Sequence, residues 1–292
     1  MKSVLVLLAS YNGEKYISQQ IESILNQDNC NVSILVSDDG SYDNTIDIIK
    51  KYAVINDIKI IKNKISSDYY SGNFYNLIKE CNHKKFDYIA YSDQDDVFEP
   101  NKYIKSINFL KKNNADLLSS SVKCFGNSEK ILSQKAVKTK FDFIFEGCGQ
   151  GCTFVMTKNF FSKFKKFVNE NTKEIKKFYF HDWATYLFCR SINAKWVFLD
   201  QPLTKYRIHQ NIAGTRFSQS GIKYRLEKLY NGWYYKQVLY ASELYSLINK
   251  RNLKLDRISL IHFLYIIIFQ SRRKLIERVM ILPFLIINKI FR

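Results

Sequence analysis

The residues whose types and spacing could do chemistry cluster at Ser92-Asp93-Gln94-Asp95-Asp96, directly after the apolar run Tyr88-Ile89-Ala90-Tyr91. Three carboxylates within four positions repel one another, so a fold keeps them together mainly where a cation lies between them. The strand-like run before them predicts the carboxyl edge of a sheet, where open α/β sheets bind ligands. Hard oxygen donors suit Mg²⁺ or Mn²⁺, and such ions accompany phosphate-bearing substrates. The pattern therefore predicts a metal–diphosphate site. Asp39, in the turn Asp38-Asp39-Gly40-Ser41, is a second candidate, although Asp before Gly is also ordinary turn chemistry. Farther along, His181-Asp182-Trp183 and Tyr206-Arg207-Ile208-His209 supply more polar groups. Asp182 reads as a proton acceptor or as a helix cap, and Trp183 as a stacking platform or as core.

Strands and helices must alternate to position these groups. Residues 4–9, 32–36, 58–61 and 88–91 read as short buried strands. Helical patterns fall between them: 14–27 with Ile17, Ile21, Ile24 and Leu25 on one face, then Ile46/Ile49/Tyr52, then Phe74/Leu77/Ile78/Cys81. This rhythm predicts an α/β fold with a doubly wound, mostly parallel sheet. Pro100 opens a further helix. A strand near 116–122, the glycine-rich stretch Gly147-Cys148-Gly149-Gln150-Gly151-Cys152, helices at 157–168 and 181–191, and a final strand at 196–199 follow. The glycine pattern matches neither a P-loop nor a dinucleotide fingerprint.

The chain has 292 residues and a net charge of +18, unevenly spread. Residues 217–292 hold 14 Lys/Arg against four acids and read as long helices, which predicts a catalytic unit over 1–216 and a basic amphipathic region over 217–292. The apolar run 258–269 is shorter than the ~20 residues a bilayer span needs. Apolar segments alternating with basic clusters predict an interfacial membrane anchor, against the alternatives of a core helix or a dimer interface. A basic, aromatic composition also fits nucleic acid, but no nucleic-acid module is present and an acidic cluster would repel phosphates, so no nucleic-acid partner is expected. Six cysteines without CxxC pairs or zinc-site spacing predict buried thiols in a reducing compartment. The apolar run 3–9 is cut off by Tyr11-Asn12-Gly13-Glu14, unlike a signal peptide, which predicts a cytoplasmic location.

Four motifs in order, Ala9-Ser10-Tyr11-Asn12-Gly13-Glu14-Lys15-Tyr16, Ser37-Asp38-Asp39-Gly40-Ser41, Ser92-Asp93-Gln94-Asp95-Asp96 and His181-Asp182-Trp183, resemble those of inverting family 2 glycosyltransferases of the GT-A fold. With Tyr206-Arg207-Ile208-His209 the chain is most similar to the bacterial rhamnosyltransferase-like branch, which builds O-antigens and capsules. The resemblance covers roughly residues 3–215. It implies a nucleotide-sugar donor, a glycan or lipid-linked acceptor and a Mg²⁺ or Mn²⁺ cofactor. By the same resemblance Ala9, Tyr11 and Glu14 hold base and ribose, Asp39 reads the base, and Asp93 lies near ribose or donor sugar. Asp95 meets the metal, His209 lies near metal or diphosphate, and Asp182 is the catalytic base.

Inverting transfer agrees physically: one carboxylate takes the acceptor proton, and a divalent cation neutralises the leaving diphosphate. Two departures stand out. Gln270-Ser271-Arg272-Arg273-Lys274 lacks the tryptophan of the processive Gln-x-x-Arg-Trp pattern, which predicts one sugar per encounter. Ser71-Gly72-Asn73-Phe74-Tyr75-Asn76 lacks the family's usual arginine. The rival functional classes are an inactive sugar-binding homologue, against which the intact Asp93, Asp95 and Asp182 argue, and a basic nucleic-acid-binding protein.

Overall fold

Apolar residues at every position of a strand require cover on both faces, and the first strand shows how this is met. Val4, Val6 and Leu8 enter one core cluster and Leu5 and Leu7 the other, as side chains of an extended chain alternate between faces. The computed structural model describes residues 1–65, 71–126, 129–133, 135, 137–208, 227, 229–250, 253 and 255–291. Elements run in the order β1 (Lys2–Ser10), α1 (Ile17–Leu25), β2 (Cys30–Asp38), α2 (Thr45–Ala53), β3 (Ile58–Lys62), α3 (Ser71–Glu80) and β4 (Tyr88–Ser92). Then come β5 (Val97–Phe98), α4 (Lys102–Lys112), β6 (Leu117–Ser120), β7 (Val122–Gly126), β8 (Ile131–Leu132) and α5 (Asp142–Phe145). A 3₁₀ turn (Gly151–Thr153) leads into β9 (Val155–Thr157), α6 (Lys158–Glu170), α7 (Thr172–Ile175), α8 (His181–Ser191), β10 (Trp196–Leu199) and β11 (Thr204–Ile208). The C-terminal quarter contributes α9 (Trp233–Asn249), α10 (Leu260–Tyr265), a π-helical turn (Ile266–Gln270) and α11 (Leu275–Phe291).

The main sheet has seven strands in the order β10-β6-β9-β4-β1-β2-β3. Only β9 runs antiparallel to its neighbours, β4 and β6, so the sheet is mixed. Residues 116–122, one strand by pattern, divide: β6 joins the main sheet and β7 turns into a second sheet, β5-β11-β7-β8. The strand at 196–199 is followed by another, β11, whose polar Lys205 and Arg207 hide its periodicity. α1 buries Ile17, Ile21 and Ile24 completely, each worth about 1.5–3 kcal/mol. Thr157 caps α6, its hydroxyl accepting from Phe160 N at 3.3 Å.

The C-terminal helices share this core. Val238, Ala241 and Leu244 of α9 belong to the cluster that holds Phe74, Phe178 and Trp183. Tyr179 N donates to the Gln237 side chain at 2.8 Å, and the Tyr234 hydroxyl donates to Phe145 O at 2.5 Å. Arg273 is the tightest clamp: its N and Nε donate to Glu146 Oε1 at 2.5 and 3.0 Å, and its Nη2 donates to Gly147 O at 2.7 Å. The buried Asp142 lies 3.9 Å from Arg273 Nε and 2.6 Å from Arg190 Nη1. The sequence Gln270–Lys274 thus fastens the last helices to the strap before the glycine-rich stretch. Arg273→Ala removes the Nε bond to Glu146 and the Nη2 bond to Gly147 O, leaving Glu146 the backbone N–H and Arg272 at 3.6 Å, and should lower the unfolding free energy by about 1.5–3 kcal/mol. A urea midpoint equal to wild type would remove the clamp from the account.

Candidate active site

The carboxyl ends of β1, β2 and β4 meet on one edge of the main sheet, in register Ser10↔Asp38 and Leu8↔Ser92. Asp38 shapes the loop after β2: its Oδ1 accepts from Gly40 N (3.0 Å) and Ser41 N (2.8 Å), and its Oδ2 from Ser10 Oγ (2.9 Å) and Ser41 Oγ (2.6 Å). Asp39 is left exposed at the edge, accepting from Asn63 Nδ2 at 2.7 Å. Gly40, at φ 86°, makes the sharp turn possible. Across from it, Tyr11 is exposed and meets Tyr42 edge-on at 6.4 Å. Ala9 is half-buried against the core, and Glu14 Oε2 accepts from Asn44 N and Nδ2 at 3.0 and 2.9 Å, so its carboxylate is engaged at the start of α2.

Gln94 ties the acidic loop to this first strand. Tyr11 N donates to its Oε1 and its Nε2 donates to Tyr11 O, each at 2.8 Å. Gly13 makes room for it, since a Cβ there would stand 2.3 Å from Gln94 Oε1. Asp96 turns inward and is 1% exposed; its Oδ1 accepts from Arg207 N at 3.1 Å, while its Oδ2 has no hydrogen-bond partner among the described residues. Asp93, Asp96 and Cys152 bring one potential ligand atom each within 4.8 Å of one another.

Burial, with like charge from Asp95, pushes the Asp96 carboxyl up to about 7. Asp93 is raised well above the usual carboxylate range by burial and then by Asp96, Asp95 and Asp182. Beneath the cluster lies Lys102, 1% exposed, its Nζ donating to Cys152 O at 2.5 Å and standing 3.0 Å from the Phe98 ring centroid. Burial lowers its ammonium to about 7, and Cys152, Asp96 and Asp93 pull in the opposite direction. Arg207 closes the near side: Nε donates to Asp95 O at 2.8 Å, and the guanidinium lies over the rings of Tyr16 and Phe125 at 4.4 and 4.3 Å. The Asp93 and Asp96 carboxylates are hard oxygen donors that fit a divalent cation such as Mg²⁺ or Mn²⁺, whereas the Cys152 sulfur beside them is a soft one.

The opposite wall comes from α8. Asp182 sits in its first turn, Oδ1 accepting from Trp183 N at 2.6 Å, and lies close enough to Asp93 to raise that carboxyl. His181, beside it, stacks on Phe74 at 3.5 Å and meets Tyr91 edge-on at 5.2 Å. Burial lowers its imidazole to about 3, so it is neutral at physiological pH. The glycine-rich stretch passes directly underneath: a Cβ on Gly151 would stand 2.5 Å from His181 Nε2 and 3.4 Å from Asp182 Cβ. Gly151 therefore serves close approach, and the next residue, Cys152, lies by the acidic cluster. Trp183 is core: it is buried, donates Nε1 to Phe143 O at 2.8 Å and stacks on Tyr234.

With this geometry, comparison with known proteins is decisive. The family model described as Glycosyl transferase family 2 matches residues 5–194. The chain belongs to glycosyl transferase family 2. The dTDP-rhamnosyl transferase RfbG of Shigella flexneri is 36% identical over 239 residues, covering 79% of this chain and 82% of the relative. An Escherichia coli UDP-Glc:α-D-GlcNAc-diphosphoundecaprenol β-1,3-glucosyltransferase, WfgD, is 26% identical over 220 residues, covering 74% and 81%. The Bacillus subtilis putative glycosyltransferase EpsE matches over a shorter stretch, 36% over 112 residues, 38% of its length. Among solved structures, Staphylococcus aureus TarS 1–349 in complex with UDP-GlcNAc superimposes with a TM-score of 0.56 at 17% identity, covering 91% of this chain and 79% of that one. The mannosyltransferase PcManGT from Pyrobaculum calidifontis, with GDP-Man and Mn²⁺, gives 0.52 at 10% identity, covering 84% and 73%. The fold is that of the GT-A glycosyltransferases.

Of the residues expected from sequence, Ala9, Tyr11, Asp39, Asp93, Asp95 and Asp182 gather on this edge, and Glu14 lies at its rim bonded to Asn44. His209 lies outside the described residues, one position beyond β11. Lys102, Arg207 and the Gln94 amide escaped sequence reasoning. Lys102 carried a signal: a lysine in a helix's first turn opposes the helix dipole, so something must hold it there.

Because the folded value of Asp96 lies above the unfolded carboxylate range, its contribution is most favourable below pH 4 and is lost as pH rises through about 7. Without metal, the stability advantage of Asp96→Asn over wild type should therefore be smallest below pH 4 and grow by about 1–3 kcal/mol between pH 5 and pH 8, read by urea unfolding. A gap independent of pH would show that Asp96 is not strained.

Proposed function

We propose that this family 2 enzyme is an inverting, divalent-metal-dependent transferase. It moves one sugar from a nucleotide-sugar donor, for which the Shigella relative suggests dTDP-rhamnose, to a glycan or lipid-linked acceptor in bacterial surface-polysaccharide synthesis. The acceptor class follows the Escherichia coli relative, whose name specifies a diphosphoundecaprenol-linked sugar. Its place would be the cytoplasmic membrane surface, reached through residues 217–292; no helix among the described residues is long and apolar enough to cross a membrane.

One observation carries this reading: Asp182, on α8, lies close enough to the acidic cluster after β4 to raise the Asp93 carboxyl, with Gly151 packed against its Cβ. In the proposed reaction Asp39 and the Tyr11–Tyr42 pair bind the base, with Ala9 and Glu14 forming the rim, and Asp93 orients ribose or donor sugar. Asp95, with His209, would hold the cation, which when bound neutralises charge developing on the departing diphosphate. Asp182 accepts the acceptor hydroxyl's proton while that oxygen attacks the anomeric carbon from the face opposite the diphosphate, so configuration inverts. Trp183 N fixes the orientation of the carboxylate, and the His181–Phe74 stack holds the backbone beside it. No covalent nucleophile is required.

Asp182→Asn should reduce kcat about 10³-fold, while donor affinity stays within a few-fold of wild type. Nucleotide-sugar titration combined with single-turnover transfer separates the two. Retained turnover would overturn the base assignment, and no binding of any dTDP-, UDP- or GDP-sugar would overturn the function.

A further inference from the structure

Past the shared core, the C-terminal helices present an apolar face to solvent. Leu275, Ile276, Val279 and Met280 of α11 are each 60–66% exposed, and their spacing places them on one stripe. Ile281, Leu285 and Asn288 turn the other side of the same helix into the protein. Ile261 and Phe269 extend the exposed apolar surface, at 79% and 61%. Arg278 bridges the two parts, its Nη1 donating to Ile268 O at 2.9 Å and its Nε to Arg272 O at 2.6 Å. Contiguous apolar surface of this extent is rare on a soluble monomer and marks a docking site.

A cavity of about 700 Å³ opens beside it, lined by Lys138, Lys140, Arg190 and Lys195, with Phe141 and Tyr245 as apolar walls. Phe141 N and Thr139 Oγ1 donate to Gln270 O at 2.9 and 2.8 Å, so the rim of the cavity adjoins Phe269. Among the described residues, no acidic side chain lines it. The Arg190 charge is matched by Asp142. Lys138 and Lys195 instead donate to the carbonyls of Trp196 and Asn113. Among the described residues, Lys138, Lys140 and Lys195 have no carboxylate within ion-pair distance, and Asp142, which acts on Lys138 from farther off, is already paired with Arg190. Burial, then Arg190, depresses the Lys138 ammonium, as expected where cations crowd. Arg190 stands eight residues along α8 from Asp182, about 12 Å, so the cavity lies at the far end of that helix from the proposed base.

We propose that this face docks on an anionic phospholipid bilayer, the cavity of Lys138, Lys140 and Lys195 receiving a headgroup phosphate while the stripe through Phe269 and Ile276 enters the acyl boundary. The inference sharpens the membrane placement proposed above and extends the contact from residues 217–292 into the catalytic unit. Charge selects the occupant: a protein partner would need only the apolar stripe, whereas a bilayer of anionic lipid matches stripe and cations together.

Full-length protein is sedimented with phosphatidylcholine vesicles, with and without phosphatidylglycerol. Binding should require phosphatidylglycerol and weaken about a hundredfold in K138A/K140A/K195A, in line with the contribution of each lysine near such a surface. F269S/I276S should lose binding as well. In both variants the donor-induced rise in melting temperature should equal that of wild type, so failure here is distinguishable from failure of the proposed chemistry. Equal binding to both vesicle types, undiminished binding by the lysine variant, or no binding to either overturns the proposal. So does a dimer in sedimentation velocity that F269S/I276S dissolves.

Discussion

Everything at the candidate active site depends on one unfavourable interaction: Asp93, Asp95 and Asp96 are held closer than their charges allow, with Asp182 facing them. The raised carboxyls of Asp93 and Asp96 are its sign, burial adding to the like charge, while the same carboxylates counter the burial that depresses the Lys102 ammonium beneath them. The architecture resists it mechanically. Gln94 pins the loop to β1, Arg207 grips the Asp95 carbonyl and the Asp96 carboxylate, and Lys102 supplies a single buried counter-charge below. A divalent cation bound there would relieve the repulsion and favour the ionised carboxylates, and its charge would let an anionic diphosphate approach groups that otherwise repel it.

The C-terminal quarter takes part in that architecture. Arg273 binds Glu146 and the Gly147 carbonyl, at the entry to the stretch whose Gly151 supports His181 and Asp182. α9 adds Tyr234 against Trp183, one residue from Asp182. The elements that carry the apolar outer face are therefore fastened, through a few side chains, to the stretch that packs against Asp182. Docking on a membrane and reaching a lipid-linked acceptor would then be mechanically connected.

Much of this was legible in the sequence because it is local. The alternating apolar period revealed β1 to β4 and their helices, and motif order singled out Asp93, Asp95 and Asp182 as candidates. Residues 116–122 misled because β6 and β7 are continuous in pattern while the chain changes sheet between them. β9 has three residues and no period to detect, yet it makes the sheet mixed. Lys102 resembles a surface lysine by type; only the fold sets it beneath carboxylates six and nine positions earlier. The Gly147–Cys152 stretch gave no motif because Gly151 answers to a steric demand from His181, thirty residues away.

The central claim is that the strained carboxylates are completed by metal and donor together. Calorimetric titration of dTDP-rhamnose into the full chain, in Mn²⁺ or in EDTA, tests it most directly. The account predicts affinity at least tenfold higher with metal, and loss of that difference in Asp95→Asn. Equal affinity in EDTA would contradict it.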